Sequence, residues 1–205
     1  ASLDDVKEFF RTYYTPNNLS LVIAGDFDPA VAKQLVEKYF GSIPPGPALA
    51  RPKVSPVVLT SGKILEIADR VPQQRVYMVW PTPALYGASD AELDLAARVL
   101  TDGLSSRLTK ALVYDAEKAT NVNAFQFGTE IANCFVVIAN ARPGVDVAEL
   151  ETLIAAEIAK LAASGPTAAE LDRAKNKLET QYISGLERIG GFGGKADLLN
   201  QYNTY

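Results

Sequence analysis

The sequence predicts an α+β fold in which helices pack on a largely antiparallel sheet. Three observations carry that prediction. Five segments open with helix-start chemistry, apolar runs of strand length lie between helices, and two of those runs bracket a short polar turn. The resulting order is helix, strand, helix, two strands, two helices, two strands, two helices.

Four helices announce themselves by an oxygen-bearing cap with Glu or Asp three positions on, which satisfies orphan backbone N–H groups. Ser2 with Asp5 opens a helix whose apolar face is Leu3, Val6, Phe9, Phe10 and Tyr13. Ser89 with Glu92 opens one carrying Leu93, Ala96, Ala97 and Leu100. Asp146 with Glu149 precedes Leu150, Leu153, Ile154, Ile158 and Leu161. Thr167 with Glu170, after Gly165-Pro166, starts a long helix through Leu171, Ala174, Leu178 and Tyr182. A fifth helix starts at Asp28-Pro29 with proline at its first position, is expected to bury Val31, Leu35 and Tyr39, and stops at Gly41.

Strands are expected at Leu19 to Ala24, Gly62 to Ala68 and Arg75 to Trp80, the last two separated by Pro72-Gln73-Gln74. Asn121 to Phe127 and Cys134 to Ala139 flank a turn around Gly128-Thr129-Glu130 and read as a hairpin, because antiparallel strands accept short connections. Pro44, Pro45, Pro47, Pro52 and Pro56 make 41–56 an extended surface loop within a single domain spanning 1–205.

Composition narrows the chemistry. The chain has 205 residues, 48% of them hydrophobic, and a net charge of −4 from 20 Lys+Arg and 24 Asp+Glu. No basic run suits phosphates, so nucleic acid is not an expected partner. No apolar stretch reaches the roughly 20 residues of a membrane span. The chain has no histidine and one cysteine, which removes every Ser-His-Asp or Cys-His nucleophile pair and any intramolecular disulfide. It also leaves a poor donor set for zinc. Both ends read as cuts from a longer protein: the start, Ala1 to Asp5, lacks an initiator Met, and Asn203 to Tyr205 follow a helical pattern with no stop signal.

Few segments invite a functional reading. The run Gly190-Gly191-Phe192-Gly193-Gly194-Lys195 is no phosphate loop: a helix precedes it, Ile189 stands where the first glycine belongs, and Ala196 follows the lysine. Gly190, Gly191, Gly193 and Gly194 read instead as a helix break or hinge, with 190–205 the start of a connection to a next unit. Cys134 sits among Phe135, Val136, Val137 and Ile138 and reads as a buried, inert thiol. The pairs Asp4-Asp5 and Asp26/Asp28 read as caps and turns, and Glu149, Glu151 and Glu157 as a solvated face. Ser105-Ser106-Arg107 follows a glycine turn, with serine expected to cap the next helix. Arg107 then lies in a first turn, where the helix dipole disfavours cations, a placement that fits either a specific partner, a carboxylate or the carbonyls of another strand, or equally a plain surface arginine.

Ser2 to Phe10, the run Tyr13-Tyr14-Thr15-Pro16-Asn17-Asn18, Leu19 to Gly25 with Asp28-Pro29, and Lys38 to Gly41 with Ile43-Pro44 together resemble one family. Leu104-Ser105-Ser106-Arg107-Leu108 and Gly165-Pro166-Thr167 with Glu170-Leu171 and Ala174-Lys175-Asn176 continue the match over nearly the whole chain. The chain resembles the second, C-terminal-type unit in a half of an M16 (pitrilysin/insulinase-type) zinc metallopeptidase. That resemblance implies an α+β domain of the LuxS/MPP-like metallohydrolase type, with Tyr14, Pro16, Asn18, Gly25, Ser105, Ser106 and Arg107 as family-motif positions.

The family's metal site is an inverted His-x-x-Glu-His motif with a more distant Glu, located in the preceding unit, and this chain has no such motif. The resemblance therefore implies no cofactor here and zinc in an upstream unit. In the family's non-catalytic half, a helix after the Ser-Ser-Arg segment carries an Arg and, seven residues on, a Tyr that bind substrate. Aligned without gaps those positions are Val113 and Thr120, so the pair is lost. The implied role is a non-catalytic domain that walls the peptide chamber of a zinc endopeptidase, partnered by the other M16 units and the peptide substrate. The alternative is a scaffold domain of a catalytically inactive homologue. Family habit points to the bacterial periplasm or envelope, which composition leaves open.

Overall fold

The computed structural model describes residues 1–51, 55 and 57–205. The chain folds as two compact units, one of residues 54–179 and one of residues 1–53 with 180–205.

The larger unit is built on a sheet. Strands β1 (Arg75–Thr82), β2 (Ala119–Phe127) and β3 (Asn133–Ala141) pair in the order β1-β3-β2, all antiparallel. The expected hairpin is β2–β3, with a register shift between Ala119 and Asn121. One face is covered by helices α3 (Asp90–Thr101) and α4 (Val147–Ser164) and by a π-helical segment, Thr109–Asp115. Alternation explains which side chains meet them: Val76, Val122, Val137 and Ala139 point inward to Leu100, Leu108, Leu112, Leu150 and Ile154. The last four of those are completely buried, each worth about 1.5–3 kcal/mol of transfer free energy. The π-helical segment closes with Ala116 N–H donating to the Ala111 carbonyl at 3.0 Å, and Arg142 donates to the carbonyls of Val113 and Ala119 at 3.3 Å each.

The smaller unit holds α1 (Leu3–Tyr13), α2 (Pro29–Phe40) and α6 (Lys195–Thr204), with the end of α5 (Ala168–Glu187), which begins in the larger unit. Local chemistry defines it. Ser2 and Asp5 form a complete capping box, with bonds of 2.6 and 3.2 Å. The Asp28 carboxylate caps α2 by accepting from Ala30 N–H at 2.7 Å.

Several expectations are corrected. No strand forms at 19–24 or 62–68; Ile64, Leu65 and Ile67 are largely exposed. An apolar run at 19–24 and alternation at 62–68 supply only a local preference, and a strand exists only where a ladder partner satisfies its backbone; neither segment has one. Val31, Leu35 and Tyr39 of α2 are exposed rather than buried, as is the apolar face of α1. Ser89 does not cap α3: its φ of 68° places it in the left-handed region, and the Asp90 carboxylate takes the Tyr86 N–H at 2.9 Å instead. In the proline-rich stretch, Pro52 and Pro56 lie outside the described residues.

Candidate functional site

Two places in the larger unit gather functional groups. The first is the Ser-Ser-Arg segment. Arg107 meets Glu170 in a two-pronged pair, Nε to Oε1 and Nη2 to Oε2, both at 2.8 Å, and Nη2 also donates to the Gly165 carbonyl at 3.0 Å. The partner is thus a carboxylate together with a carbonyl, which offsets the unfavourable dipole at a first-turn cation. Glu170 is also half of the capping box of α5, accepting from Thr167 N–H at 2.8 Å while its own N–H donates to Thr167 Oγ1 at 3.3 Å. The Arg107 hydrogen bonds, opposed by burial and helped by Thr167, hold the Glu170 pKa down to about 2. The same bond raises the Arg107 pKa. One carboxylate therefore ties the glycine turn at 103 to the start of α5. Its chemistry is that of a structural clasp, since both its oxygens accept from protein donors.

Ser106 is completely buried, yet its hydroxyl does not cap a helix. It donates to the Gly103 carbonyl at 2.6 Å and locks the turn from below, while Ser105 is exposed. A second buried polar cluster was not foreseen from sequence. Gln126 Nε2 reaches the Asp90 carbonyl at 2.7 Å and Asp90 Oδ1 at 3.0 Å, and Asn133 Nδ2 reaches the same Oδ1 at 3.3 Å. The only sequence signal for it was a carboxylate one place after a supposed cap.

The second place is the sheet face away from the helices. Register stacks its side chains in four rows: Arg75–Asn140–Asn121, Tyr77–Ile138–Asn123, Val79–Val136–Phe125 and Pro81–Cys134–Phe127. Tyr77, Val79 and Phe127 are 57, 52 and 63% exposed, so the flanks of this face stand open around Val136, which its neighbours bury. Cys134 belongs to it and is half-buried, where a fully buried thiol was expected.

The remaining motif positions serve the backbone of the smaller unit. Tyr14 stacks on Phe10 with ring centroids 4.5 Å apart, Pro16 starts a single 3₁₀ turn, and Asn18 Nδ2 donates to the Tyr13 carbonyl at 2.8 Å, closing α1. Asn17 exchanges two bonds with Gly46, at 2.8 and 3.3 Å. Gly25 has φ 151°. Gly190 to Gly194 separate α5 from α6 as a bonded turn, with Gly191 and Gly193 at φ 79° and 73° and Lys195 N–H donating to the Arg188 carbonyl at 2.9 Å. Val113 packs against the core from the π-helical segment, whereas Thr120 lies on β2. The ungapped spacing therefore does not put the two positions on one helix.

The donor set does not suit zinc. The chain has no imidazole, its single thiol lies on the open sheet face, and among the described residues no three acidic or thiol groups gather. No described helix is long and apolar enough to cross a membrane.

The chain is similar to the zinc protease PqqE of Helicobacter pylori, at 28% identity over 208 residues that cover 98% of this chain and 46% of that protein. The crystal structure of a protease from Helicobacter pylori superposes with TM-score 0.82 at 25% identity, covering 100% of this chain and 49% of that one. A peptidase M16 inactive domain from Pseudomonas fluorescens shares the fold, with TM-score 0.76 and 21% identity over 87% of this chain and 43% of that one. So does the periplasmic protease PqqL of Escherichia coli, with TM-score 0.61 and 17% identity over 100% of this chain and 23% of that one. The chain thus spans about half the length of the Helicobacter proteins it matches. The family model described as the peptidase M16 inactive domain matches residues 1–178, and the chain belongs to that family as a non-catalytic α+β domain.

Proposed function

We propose that residues 1–205 act as one M16 domain that walls the peptide-holding chamber of a longer, zinc-dependent endopeptidase. The observation that carries the reading is the sheet of the larger unit: helices cover one face, while the other leaves Tyr77, Val79 and Phe127 open. A structural scaffold needs no such face, whereas a chamber wall needs apolar area that unfolded peptide can touch. The other M16 units supply zinc and the catalytic base, and the peptide is the substrate. The glycine run at 190–194 serves as a hinge toward a following unit, and the periplasm named for PqqL is the expected compartment.

Three measurements test this. Metal analysis of the 205-residue chain should find no stoichiometric zinc, and a quenched-peptide assay of that chain alone should find no hydrolysis. In the longer protein, Val79→Lys should lower peptide turnover several-fold at unchanged zinc content. Turnover indifferent to Val79→Lys would refute the wall, and a longer protein without turnover or metal would support the scaffold reading.

A further inference from the structure

We infer that the open sheet face binds an extended apolar peptide segment and seats a carboxylate of that peptide against Arg75, an inference that rests on the chamber role proposed above. Of the residues in the four outward rows, Arg75 alone is charged at neutral pH. It stands at one end of the face, and the exposed apolar side chains of Val79 and Phe127 stand toward the other. From Arg75 to Pro81 the strand rises roughly 20 Å, the length of a six- or seven-residue extended peptide.

Arg75 is held in place by neutral groups. Its Nε donates to Asn140 Oδ1 at 2.5 Å, its Nη1 donates to the Tyr77 hydroxyl at 3.0 Å, and its guanidinium lies 5.9 Å from the Tyr77 ring centre. Asn140 in turn donates to Asn121 Oδ1 at 2.8 Å, so the clamp runs across all three strands. No carboxylate pairs with Arg75 among the described residues, and its Nη2 edge has no protein partner there. Of the other guanidiniums of this unit, Arg98, Arg107 and Arg142 each reach a carboxylate, while Arg70 and Arg173 show neither an ion pair nor a side-chain hydrogen bond that would fix them among the described residues. A cation fixed by neutral neighbours, with an edge left for an acceptor, complements an anion brought from outside. In a chain of net charge −4, that local positive site discriminates among peptides by their carboxylates. The ligand class is therefore an apolar segment whose C-terminus, or an acidic side chain, falls at the Arg75 end.

Cys134 supplies the readout, being the chain's one cysteine and lying on this face between Pro81 and Phe127. The probes are an acetylated heptapeptide alternating valine and phenylalanine with a free C-terminal carboxylate, its C-terminal amide, and laurate. The acid peptide should slow modification of Cys134 by a thiol reagent in a saturable way, and the amide should need about tenfold more peptide for the same protection. Arg75→Gln should erase that difference. Arg75→Glu should reverse it in favour of a peptide ending in an amine, a gain that a misfolded variant could not produce. Equal protection by acid and amide, absence of protection by either, or protection by laurate at the peptide's own concentration would overturn the inference. If Val79→Lys lowers turnover in the longer protein while acid and amide protect equally, the chamber wall stands and the carboxylate seat falls. If turnover ignores Val79→Lys while the acid preference holds, the wall falls and the peptide site stands.

Discussion

The two units of this chain reach order by different means. In residues 54–179 the sheet and its helices exclude water from Leu108, Leu112, Leu150 and Ile154 entirely. In the described part of residues 1–53 and 180–205 no apolar side chain is buried, although α1 and α2 are capped as well as any helix in the chain. The lesson is that capping and amphipathic spacing define a helix, while burial requires a second surface. Leu21, Ile23, Val31, Leu35 and Phe40 instead line an open apolar groove of about 540 Å³.

Core truncation should separate the units most strongly. Ile154→Ala should cost about 2–5 kcal/mol of unfolding free energy by loss of transfer energy and the cavity left behind. Val31→Ala should change it by about 0.5 kcal/mol or less. Urea unfolding of both variants reads the contrast, and equal costs would show that α2 carries a core after all.

Next in size is the clasp. Arg107 and Glu170 are 14 and 17% exposed, so breaking the pair by Arg107→Ala should cost on the order of 3 kcal/mol. The pH sign follows from the depressed carboxylate. Folded Glu170 titrates at about 2 against an ordinary 4.5, so its contribution is fully present above pH 4.5 and disappears as pH falls toward 2. The pKa gap corresponds to roughly 3 kcal/mol. Stability measured across that window should slope in the native chain and flatten in Glu170→Gln; an unchanged slope would assign acid sensitivity to other carboxylates.

The glycine turn gives a smaller and purely local contrast. A Cβ on Gly194 would lie 2.5 Å from the Gly190 carbonyl oxygen, whereas one on Gly190 meets nothing. Gly194→Ala should therefore destabilise the α5–α6 junction by about 1–3 kcal/mol and Gly190→Ala by less than about 1. Hydrogen exchange at the α6 amides distinguishes them, and equal protection in both would mean the turn yields without cost. Smallest is the cap of α2: Asp28→Ala should cost about 1 kcal/mol, seen as faster exchange at Ala30 and Val31 with the sheet unchanged.

What could be read in advance divides along the same line. The helix starts at Ser2, Asp28, Asp146 and Thr167 lie where capping chemistry puts them, because a cap acts over three residues. The β2–β3 hairpin was legible for the same reason, its turn being local. The helix dipole at Arg107 left a carboxylate or carbonyl partner and a plain surface arginine side by side, and Glu170, 63 residues away, could not be named from sequence. Asp90 was hidden behind Ser89, because a capping pattern cannot reveal that the preceding residue has turned left-handed. The open sheet face was likewise out of reach, since alternation tells which side chains share a face but not which face the helices will cover.

The amino-acid sequence by itself determined the family resemblance, the helix starts at Ser2, Asp28, Asp146 and Thr167, the hairpin and the poor donor set for zinc, all of which depend on residue type or on neighbours a few positions apart. Only the tertiary structure decided that 19–24 and 62–68 stay unpaired, that Arg107 clasps Glu170, and that one side of the sheet remains open with Arg75 at its end. Those outcomes turn on pairings between distant segments, whose free energy depends on the surface each finds opposite it and not on its own composition.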